Sequence, residues 1–255
     1  MHMVGQKWMK NKWFSKSREI LVSLLFPPRC PVCDEILEPE NWKCGIHFAC
    51  ETKLYPVKGS VCIRCGRPVG SDTTEYCTDC GRDRIPKCFK QGKSLYLYKG
   101  KIKQTMYRFK YSNKREYGAF FAKKALEKYG DWIKQNKIEA IVPVPMYQSK
   151  MRERGYNQAE VFANELAKIT GLMIEPDVVV RVKDTTPQKE LNDLERKNNL
   201  KNAFQKRKSI VQYSRVLVVD DIYTTGSTAD AVAREVIKTW DCQVYILTIC
   251  IGAGM

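Results

Sequence analysis

The stretch VLVVDDIYTTGSTADAVAREV, residues 216–236, decides the fold of the larger part of this chain. It opens with four apolar residues, continues through two adjacent carboxylates, Asp220 and Asp221, and crosses a short loop before a pattern of helical period begins. A buried strand that leads directly into a helix is the repeating unit of parallel α/β sheets, and ligands bind at the carboxyl ends of such strands. The stretch therefore predicts both a fold and a binding site.

The loop has the composition of a phosphate-binding turn. Backbone N–H groups at the start of a helix attract anions, and Gly226 lets the backbone approach closely. The hydroxyls that would surround a phosphate belong to Thr224, Thr225, Ser227 and Thr228. The loop has neither the lysine of a nucleotide-triphosphate P-loop nor the three glycines of a dinucleotide loop, so the sequence excludes those two kinds of site.

The acid pair narrows the choice of ligand. Carboxylates beside a phosphate-binding loop would repel the phosphate unless they bind another group. Sugar hydroxyls, which donate hydrogen bonds, and magnesium are suitable ligands for them. A ribose 5-phosphate fits both halves of the stretch. The competing interpretation is an ordinary turn between strand and helix that a Ser or Thr side chain caps.

The rest of the chain supports a parallel α/β sheet. At 255 residues with 44% hydrophobic content, the chain can bury one sizeable core and carry a smaller module. Strand-like runs alternate with helical patterns after Cys88, and they are SLYLY (94–98), IEAIVPVP (138–145), DVVVRV (177–182) and QVYILTI (243–249). The only histidines, His2 and His47, fall before this region, which excludes histidine acid–base catalysis there.

Cysteines mark the smaller module, because nine of the 11 lie between Cys30 and Cys88. CPVC (30–33), CIRC (62–65) and CTDC (77–80) share the two-residue gap that aims two sulfurs at one tetrahedral metal, and His47–Cys50 repeats it. This spacing predicts about two zinc ions. The ligands are Cys30, Cys33, His47 and Cys50 in a first site and Cys62, Cys65, Cys77 and Cys80 in a second.

The predicted metal role is structural, because four protein ligands leave no open position for a water nucleophile. Two alternatives remain open: Cys44 in place of His47, and pairs that cross over between the sites. A secreted disulfide framework is disfavoured by the odd cysteine count and by the absence of a signal-peptide pattern.

The charge of the chain points to an anionic partner. The net charge of +16 suits nucleic acid, anionic lipid or phosphorylated small molecules, and charge alone does not choose among them. No apolar run is long enough to cross a bilayer. Residues 1–26 predict a helix that packs on the chain behind it, with peripheral membrane contact as the alternative. We expect a cytoplasmic protein.

Residues 95–117 interleave aromatic rings with cations, a pattern suited to single-stranded DNA, whose bases stack and whose phosphates pair. Composition alone favours the other interpretation, in which the rings lie in the core and the cations form a solvated face. The candidate DNA contacts are Tyr107, Arg108, Lys110, Tyr111, Lys114 and Arg115.

Taken in order, these motifs resemble the ComF family over about residues 24–250. The matching segments are LLFPPRCPVC, the paired cysteine knuckles, FKYSNKREYG, IVPVPMYQSKMRERGYNQAE, DTTPQKELNDLERKNNLKNAF, and the acid pair with TTGST. The last is similar to the phosphoribosyl pyrophosphate (PRPP) signature of type I phosphoribosyltransferases. The chain departs from the family at His47, where cysteine is usual, and in the extension before Leu24.

Behind the helical extension predicted for residues 1–26, the resemblance implies a double zinc-ribbon module (27–90) and a phosphoribosyltransferase-like domain (91–255). It implies that the chain handles single-stranded DNA during natural transformation, beside a ComFA-like translocase. It also implies a PRPP site with magnesium. The residues carried over are Asp220 and Asp221 for ribose and metal, Thr224, Thr225, Gly226, Ser227 and Thr228 for the 5-phosphate, and Arg152 and Arg154 for the pyrophosphate.

Two alternatives accompany this interpretation. Arg152 and Arg154 also fit a solvated helix start. An active transferase, with Asp220 and Asp221 catalytic and residues 184–200 as a hood over the site, is the alternative to a protein that binds PRPP without turning it over. Its acceptor is not identified by any motif.

Overall fold

A computed structural model of the chain describes residues 27–82, 87–183, 202–207 and 209–252. The chain forms two compact units, of which the smaller ends at Thr52 and the larger begins at Lys53. The helix predicted in residues 1–26 and the hood predicted at 184–200 lie outside the described residues. The domain boundary predicted at residue 90 stays a prediction.

The smaller unit consists of turns with two short helices, α1 (Pro39–Trp42) and α2 (Phe48–Glu51). Its first turn closes where the N–H of Cys30 donates to the carbonyl of Glu35 at 2.8 Å. The buried apolar side chains of this unit include Val32, Leu37 and Ile46. Such a small apolar core favours stabilisation by a metal ion.

The larger unit is built on a parallel sheet with the strand order β1, β7, β6, β2, β3, so the predicted α/β fold with an N-terminal cysteine-rich module is confirmed. Its strands are β1 (Gln91–Leu97), β2 (Ala140–Pro143), β3 (Met173–Ile174), β4 (Val179–Arg181), β5 (Phe204–Lys206), β6 (Arg215–Tyr223) and β7 (Gln243–Ile251). Every residue of β7 after Gln243 is buried, because helices cover both faces of a parallel sheet.

Three details of the sheet differ from the sequence-based expectation. DVVVRV does not join the main sheet: β4 pairs antiparallel with β5 in a separate two-stranded sheet. The pair β2–β3 has only two residues in register, too few to give a period in the sequence. Finally, β6 does not end at the acids but continues to Tyr223, because Asp220 and Ile222 still pair with Thr248 and Cys250 of β7.

The helices of the larger unit are α3 (Thr78–Arg82), α4 (Ile102–Tyr111), α5 (Tyr117–Gln135), α6 (Gln148–Arg154), α7 (Gln158–Thr170) and α8 (Ser227–Trp240). The predicted apolar stripe of α8 is buried at Ala229, Val232, Ala233, Val236 and Trp240. Helix α7 begins where the Asn157 side chain accepts a hydrogen bond from the N–H of Ala159, and it ends at Gly171, whose φ is 74°. Both ends follow ordinary capping chemistry.

A short segment before the second cysteine cluster pairs with the edge of the sheet. Pro56 forms an antiparallel bridge with Tyr96 of β1. On either side of this bridge the N–H of Val57 donates to the carbonyl of Leu95 at 2.9 Å, and the N–H of Leu97 donates to that of Tyr55 at 2.8 Å. The segment thus satisfies the backbone groups of an edge strand. Within the described residues, no helix has the length and apolar character needed to cross a membrane.

Candidate ligand site and metal centres

The acid pair lies near the carboxyl end of β6, where both side chains are largely buried but keep some exposure. The N–H of Asp221 donates to Oδ1 of Asp220 at 2.8 Å, which fixes one carboxylate against the backbone. Burial, reinforced by the neighbouring charge of Asp221, raises the pKa of Asp220 to about 8. Two carboxylates so close together and poorly solvated need a cation or hydroxyl donors.

Lys110 supplies one cation to this pair. It is the penultimate residue of α4, and its Nζ lies 2.6 Å from Oδ2 of Asp221. Burial opposes the charged lysine, but the Asp221 carboxylate outweighs this effect, so the pKa of Lys110 is raised above its ordinary value. The sequence pattern grouped Lys110 with the DNA contacts, whereas the structure places its amine against the acid pair.

Two arginines extend the positive charge around the acids. Arg154 lies close enough to influence the pKa of Lys110, and Arg181 of β4 helps to lower that of Asp220. Arg154 also donates to Oε1 of Gln158 at 3.1 Å. Arg152, its predicted companion, is exposed on α6. No motif in the sequence indicates Arg181, because it lies on β4, far from the acids along the chain.

The loop after β6 has the predicted tight geometry. Gly226 is the residue before α8 and has a φ of 78°, and a Cβ at this position would overlap the Tyr223 ring. No side chain caps the start of α8 within the described residues, and the hydroxyls of Thr225 and Ser227 lie 2.9 Å apart. The Asp230 carboxylate in the first turn accepts hydrogen bonds from the N–H of Cys88 at 2.6 Å and from Arg234 at 3.1 Å. Because no described side chain caps its first turn, the start of α8 is suited to an anion.

The aromatic and basic stretch divides between core and surface. Tyr96, Phe109 and Tyr117 are buried, so half of the six rings in 95–117 belong to the core. Tyr107 and Tyr111 are 64% and 48% exposed, and their ring centroids lie 5.0 Å apart. These two rings form the aromatic pair of α4.

Arg154 places a cation against the aromatic pair of α4. The Arg154 guanidinium lies 4.8 Å from the centroid of the Tyr111 ring and donates to its hydroxyl at 3.0 Å. The other predicted DNA contacts have different surroundings. Arg108 is half-buried, the Lys114 amine lies 4.0 Å from the Glu116 carboxylate, and Arg115 donates to the carbonyl of Gly155 at 3.0 Å. Since Arg154 also lies near Lys110, the aromatic pair borders the acid site.

The first metal centre brings together Cys30, Cys33, His47 and Cys50. Nδ1 of His47 lies 3.3 Å from Sγ of Cys33, close to the edge of about 3.5 Å that a tetrahedral zinc with one nitrogen and one sulfur would give. Nε2 of His47 lies 3.2 Å from both the Ile36 carbonyl and the Glu38 carboxylate, which orients the ring as outer-shell partners of zinc ligands do. Cys44 is exposed and is not part of the cluster.

The second metal centre brings together Cys62, Cys65, Cys77 and Cys80, all buried. The ligand atoms of each centre lie within 4.8 Å of one another, and the pairs close in order along the chain. Sγ of Cys65 and Sγ of Cys77 are 3.6 Å apart, close to the edge of about 3.8 Å in a tetrahedral zinc–thiolate site. Hydrogen bonds from Cys65 and Cys80 lower the pKa of the Cys62 thiol, while the hydrogen bonds to Cys62 raise the pKa of Cys65 and Cys80.

Comparison with known proteins finds relatives that match most of the chain. A protein-family model described as the double zinc ribbon domain matches residues 21–81. Competence protein F of Haemophilus influenzae is 30% identical over 224 residues, covering 78% of this chain and 96% of that protein. Competence protein ComFC of Bacillus subtilis is 26% identical and covers 78% and 79%, and DNA utilization protein YhgH of Salmonella typhi is 27% identical and covers 89% and 98%.

Solved structures that align with the chain include two adenine phosphoribosyltransferases. The protein from Saccharomyces cerevisiae is 17% identical with a TM-score of 0.31, and the alignment covers 51% of this chain and 69% of that one. The protein from Thermoanaerobacter pseudethanolicus is 18% identical with a TM-score of 0.30, covering 50% and 77%. The relatives found by sequence, in contrast, are matched over most of their own length.

Proposed function

Because this chain belongs to the ComF family of competence and DNA-utilization proteins, we propose that it handles incoming single-stranded DNA in the cytoplasm during natural transformation and binds PRPP with magnesium. The names of the relatives support the DNA part of this proposal. A ComFA-like translocase is the proposed partner that delivers the strand.

The observation that carries the PRPP part is the meeting of an acid pair, a hydroxyl-rich loop and buried positive charge at the end of β6. In the proposed complex, Asp220 and Asp221 accept hydrogen bonds from ribose hydroxyls and hold Mg²⁺, whose preferred ligands are oxygens. The loop from Thr224 to Thr228 receives the 5-phosphate at the start of α8. Magnesium supplies charge neutralisation to the pyrophosphate when it is bound.

The cations have separate proposed roles. Lys110 and Arg154 are the proposed contacts of the pyrophosphate, and Arg152, on the same helix as Arg154, is a proposed exposed charge for the bound anion. Lys110 also holds Asp221 in place before the ligand arrives. This assignment moves Lys110 from the DNA surface to the PRPP site.

The proposed DNA surface is the aromatic pair of α4, Tyr107 and Tyr111, with the cations around it. Exposed rings beside cations suit single-stranded DNA because bases stack on the rings while phosphates meet the charges. Arg108, Lys114 and Arg115 are the proposed phosphate contacts. Since Arg154 touches Tyr111 and lies near Lys110, a strand on this surface would border the PRPP site.

The two zinc ions have a structural role in this proposal. Each cluster offers four nitrogen or sulfur ligands and leaves no open position for substrate, which is typical of structural zinc. The His47 site and the all-cysteine site are both expected to fill without added metal when the protein is purified from zinc-containing cells.

Calorimetric titration with PRPP and magnesium tests the PRPP part of the proposal directly. We expect one PRPP per chain and no heat of binding in an Asp220→Asn, Asp221→Asn double variant. Asp177→Asn is the matched control, because the Asp177 side chain is 84% exposed and pairs only loosely with Arg207 at 3.8 Å. Equal affinity in the double variant and the control would refute the site.

The same sample decides between binding and turnover. PRPP, magnesium and a panel of nucleobases are incubated with the protein while released pyrophosphate is measured. We expect PRPP to remain intact, and base-dependent release of pyrophosphate would instead establish an active phosphoribosyltransferase.

Fluorescence anisotropy with a labelled oligothymidine tests the DNA part. Truncation of Tyr111 to alanine is expected to weaken binding by roughly 1–3 kcal/mol while the salt dependence is retained. Tyr55→Ala is the control, because Tyr55 is 47% exposed, against 48% for Tyr111, and also lies beneath a cation, Lys99. The joint Lys114→Gln, Arg115→Gln variant should reduce the salt slope by about 0.7 for each lost phosphate contact. An affinity and a salt slope that stay unchanged in both Tyr111→Ala and the joint Lys114→Gln, Arg115→Gln variant would place the DNA elsewhere.

A further inference from the structure

Arg67, in the second cysteine cluster, is a buried cation whose contacts join that cluster to the loop after β6. Arg67 is only 7% exposed, and arginine side chains are seldom buried unless they are paired. One guanidinium nitrogen, Nη1, lies 2.5 Å from Oδ2 of Asp79. The other, Nη2, donates a hydrogen bond to the backbone carbonyl of Thr224.

Contacts on both sides of Thr224 also hold the loop in place. Before it, Tyr223 is 4% exposed and belongs to the apolar cluster that also contains Cys62, Cys65, Cys77 and Cys80. The Tyr223 ring, in turn, occupies the space that a Cβ at Gly226 would need. After the loop, the N–H of Cys88 donates to Oδ1 of Asp230 in the first turn of α8 at 2.6 Å.

The Arg67 contact fixes the orientation of one peptide group. In a trans peptide the carbonyl of Thr224 and the N–H of Thr225 point in opposite directions. By holding the carbonyl on the side of the cysteine cluster, Arg67 directs the N–H of Thr225 away from the cluster. A donor fixed in this way before the ligand arrives loses less entropy on binding than a mobile one.

We propose that Arg67 is a positioning residue for the phosphate loop and that the second zinc centre, by holding Arg67 and Tyr223, couples zinc occupancy to PRPP binding. This inference rests on the proposed PRPP site for its ligand, but the order of the loop is a separate property. Reciprocity follows from thermodynamic linkage: the factor by which zinc strengthens PRPP binding equals the factor by which PRPP strengthens zinc binding.

The experiment compares Arg67→Lys, which keeps the charge but loses the planar fork, with Arg64→Lys in the same ribbon. Arg64 is the matched control because its guanidinium lies over the Tyr76 ring, 5.6 Å from the centroid. Zinc content, the rate of zinc release to a coloured chelator with and without PRPP and magnesium, and PRPP affinity are measured on all three proteins. Amide hydrogen exchange of a peptide covering 216–236 is followed in the same samples.

The expected results separate a positioning role from a merely structural one. Both variants retain two zinc ions, while Arg67→Lys binds PRPP about tenfold more weakly, as loss of a charge-assisted hydrogen bond predicts. PRPP slows zinc release from the second cluster in the wild type and in Arg64→Lys but not in Arg67→Lys. The first cluster, which lies in the other compact unit, releases zinc at an unchanged rate and serves as the internal reference.

Hydrogen exchange measures the order of the loop directly and does not require that PRPP binds. Faster exchange at 223–230 is expected in Arg67→Lys, and also in Asp79→Asn, which leaves the zinc ligands intact but removes the carboxylate partner of Arg67. If the wild type binds no PRPP, the proposed function fails while exchange still decides the role of Arg67. The inference would be overturned if Arg67→Lys and Asp79→Asn both exchanged at 223–230 at the wild-type rate. It would also be overturned if the wild type bound PRPP and PRPP did not slow the release of zinc from the second cluster.

Discussion

The raised pKa of Asp220 predicts that PRPP binding depends on pH near neutrality. Burial and the adjacent Asp221 raise this pKa to about 8, so the free site holds a proton that magnesium and ribose must displace. At pH 7 a group of pKa 8 is about 0.9 protonated, and the apparent dissociation constant should fall about tenfold between pH 7 and pH 9. In Asp220→Asn the affinity is lower and this pH dependence is absent.

Calorimetry in buffers of different ionisation enthalpy measures the effect. We expect release of about 0.9 proton per PRPP bound at pH 7 and about 0.1 at pH 9 in the wild type, and none from this group in Asp220→Asn. Asp177→Asn should follow the wild-type curve. Binding that is independent of pH from 7 to 9, or a variant that retains the wild-type curve, would refute the assignment of this proton to Asp220.

The same proton affects the stability of the ligand-free protein. A carboxyl whose pKa is higher in the folded state favours folding most below its unfolded pKa, and that contribution is lost as the pH rises through the folded value of about 8. The Asp220→Asn variant lacks this loss. Its melting temperature should therefore exceed that of the wild type at pH 9 by more than at pH 6.

Three further predictions concern the ion pair of Lys110, the glycines with positive φ and the cysteine clusters. Lys110→Gln removes the cation 2.6 Å from Asp221, so the pH midpoint for PRPP binding should move upward in the calorimetric titration, and an unmoved midpoint would contradict the ion pair. In Gly171→Ala the new Cβ has open space, so the free energy of unfolding in urea should fall by about 1–2 kcal/mol from the positive φ alone. In Gly226→Ala the new Cβ also meets the Tyr223 ring, so the loss should be larger and PRPP binding should weaken. Equal losses in the two variants would argue against the tight loop. Cys65→Ser should lower the unfolding temperature of the α/β domain and Cys30→Ser should not, as calorimetric scans would show, because Cys65 shares an apolar cluster with sheet residues.

The features that the sequence indicates most directly are those encoded over short distances. The acid pair, the glycine and hydroxyls of the loop, and the knuckles each occupy a few consecutive residues with a characteristic spacing, so their chemistry can be recognised without a fold. The first metal set was also predicted with His47, because its gap to Cys50 repeats that of the other knuckles.

The features that the sequence did not predict depend on contacts between distant segments. Lys110 and Asp221 meet because α4 and β6 end at the same edge of the sheet, and nothing in either segment indicates the other. Likewise, Arg67 reaches Thr224, 157 residues away, through a fold that the knuckle pattern does not describe. Alternating rings and cations gave no reason to separate buried Phe109 from exposed Tyr111, since both lie on one short helix.

The pairing of Tyr55–Val57 with the outer strand of the sheet has a consequence for how this chain can be shortened. Lys128 reinforces the pairing by donating from Nζ to the carbonyls of Val57 at 2.6 Å and Leu95 at 3.3 Å. A chain that starts at residue 53 would keep this cover, whereas one that starts at residue 91 would leave β1 with open backbone groups. An uncovered edge is a template for strands of other molecules, so the chain that starts at residue 53 should stay in solution and the chain that starts at residue 91 should aggregate. The linker between the two zinc ribbons therefore protects the sheet from self-association.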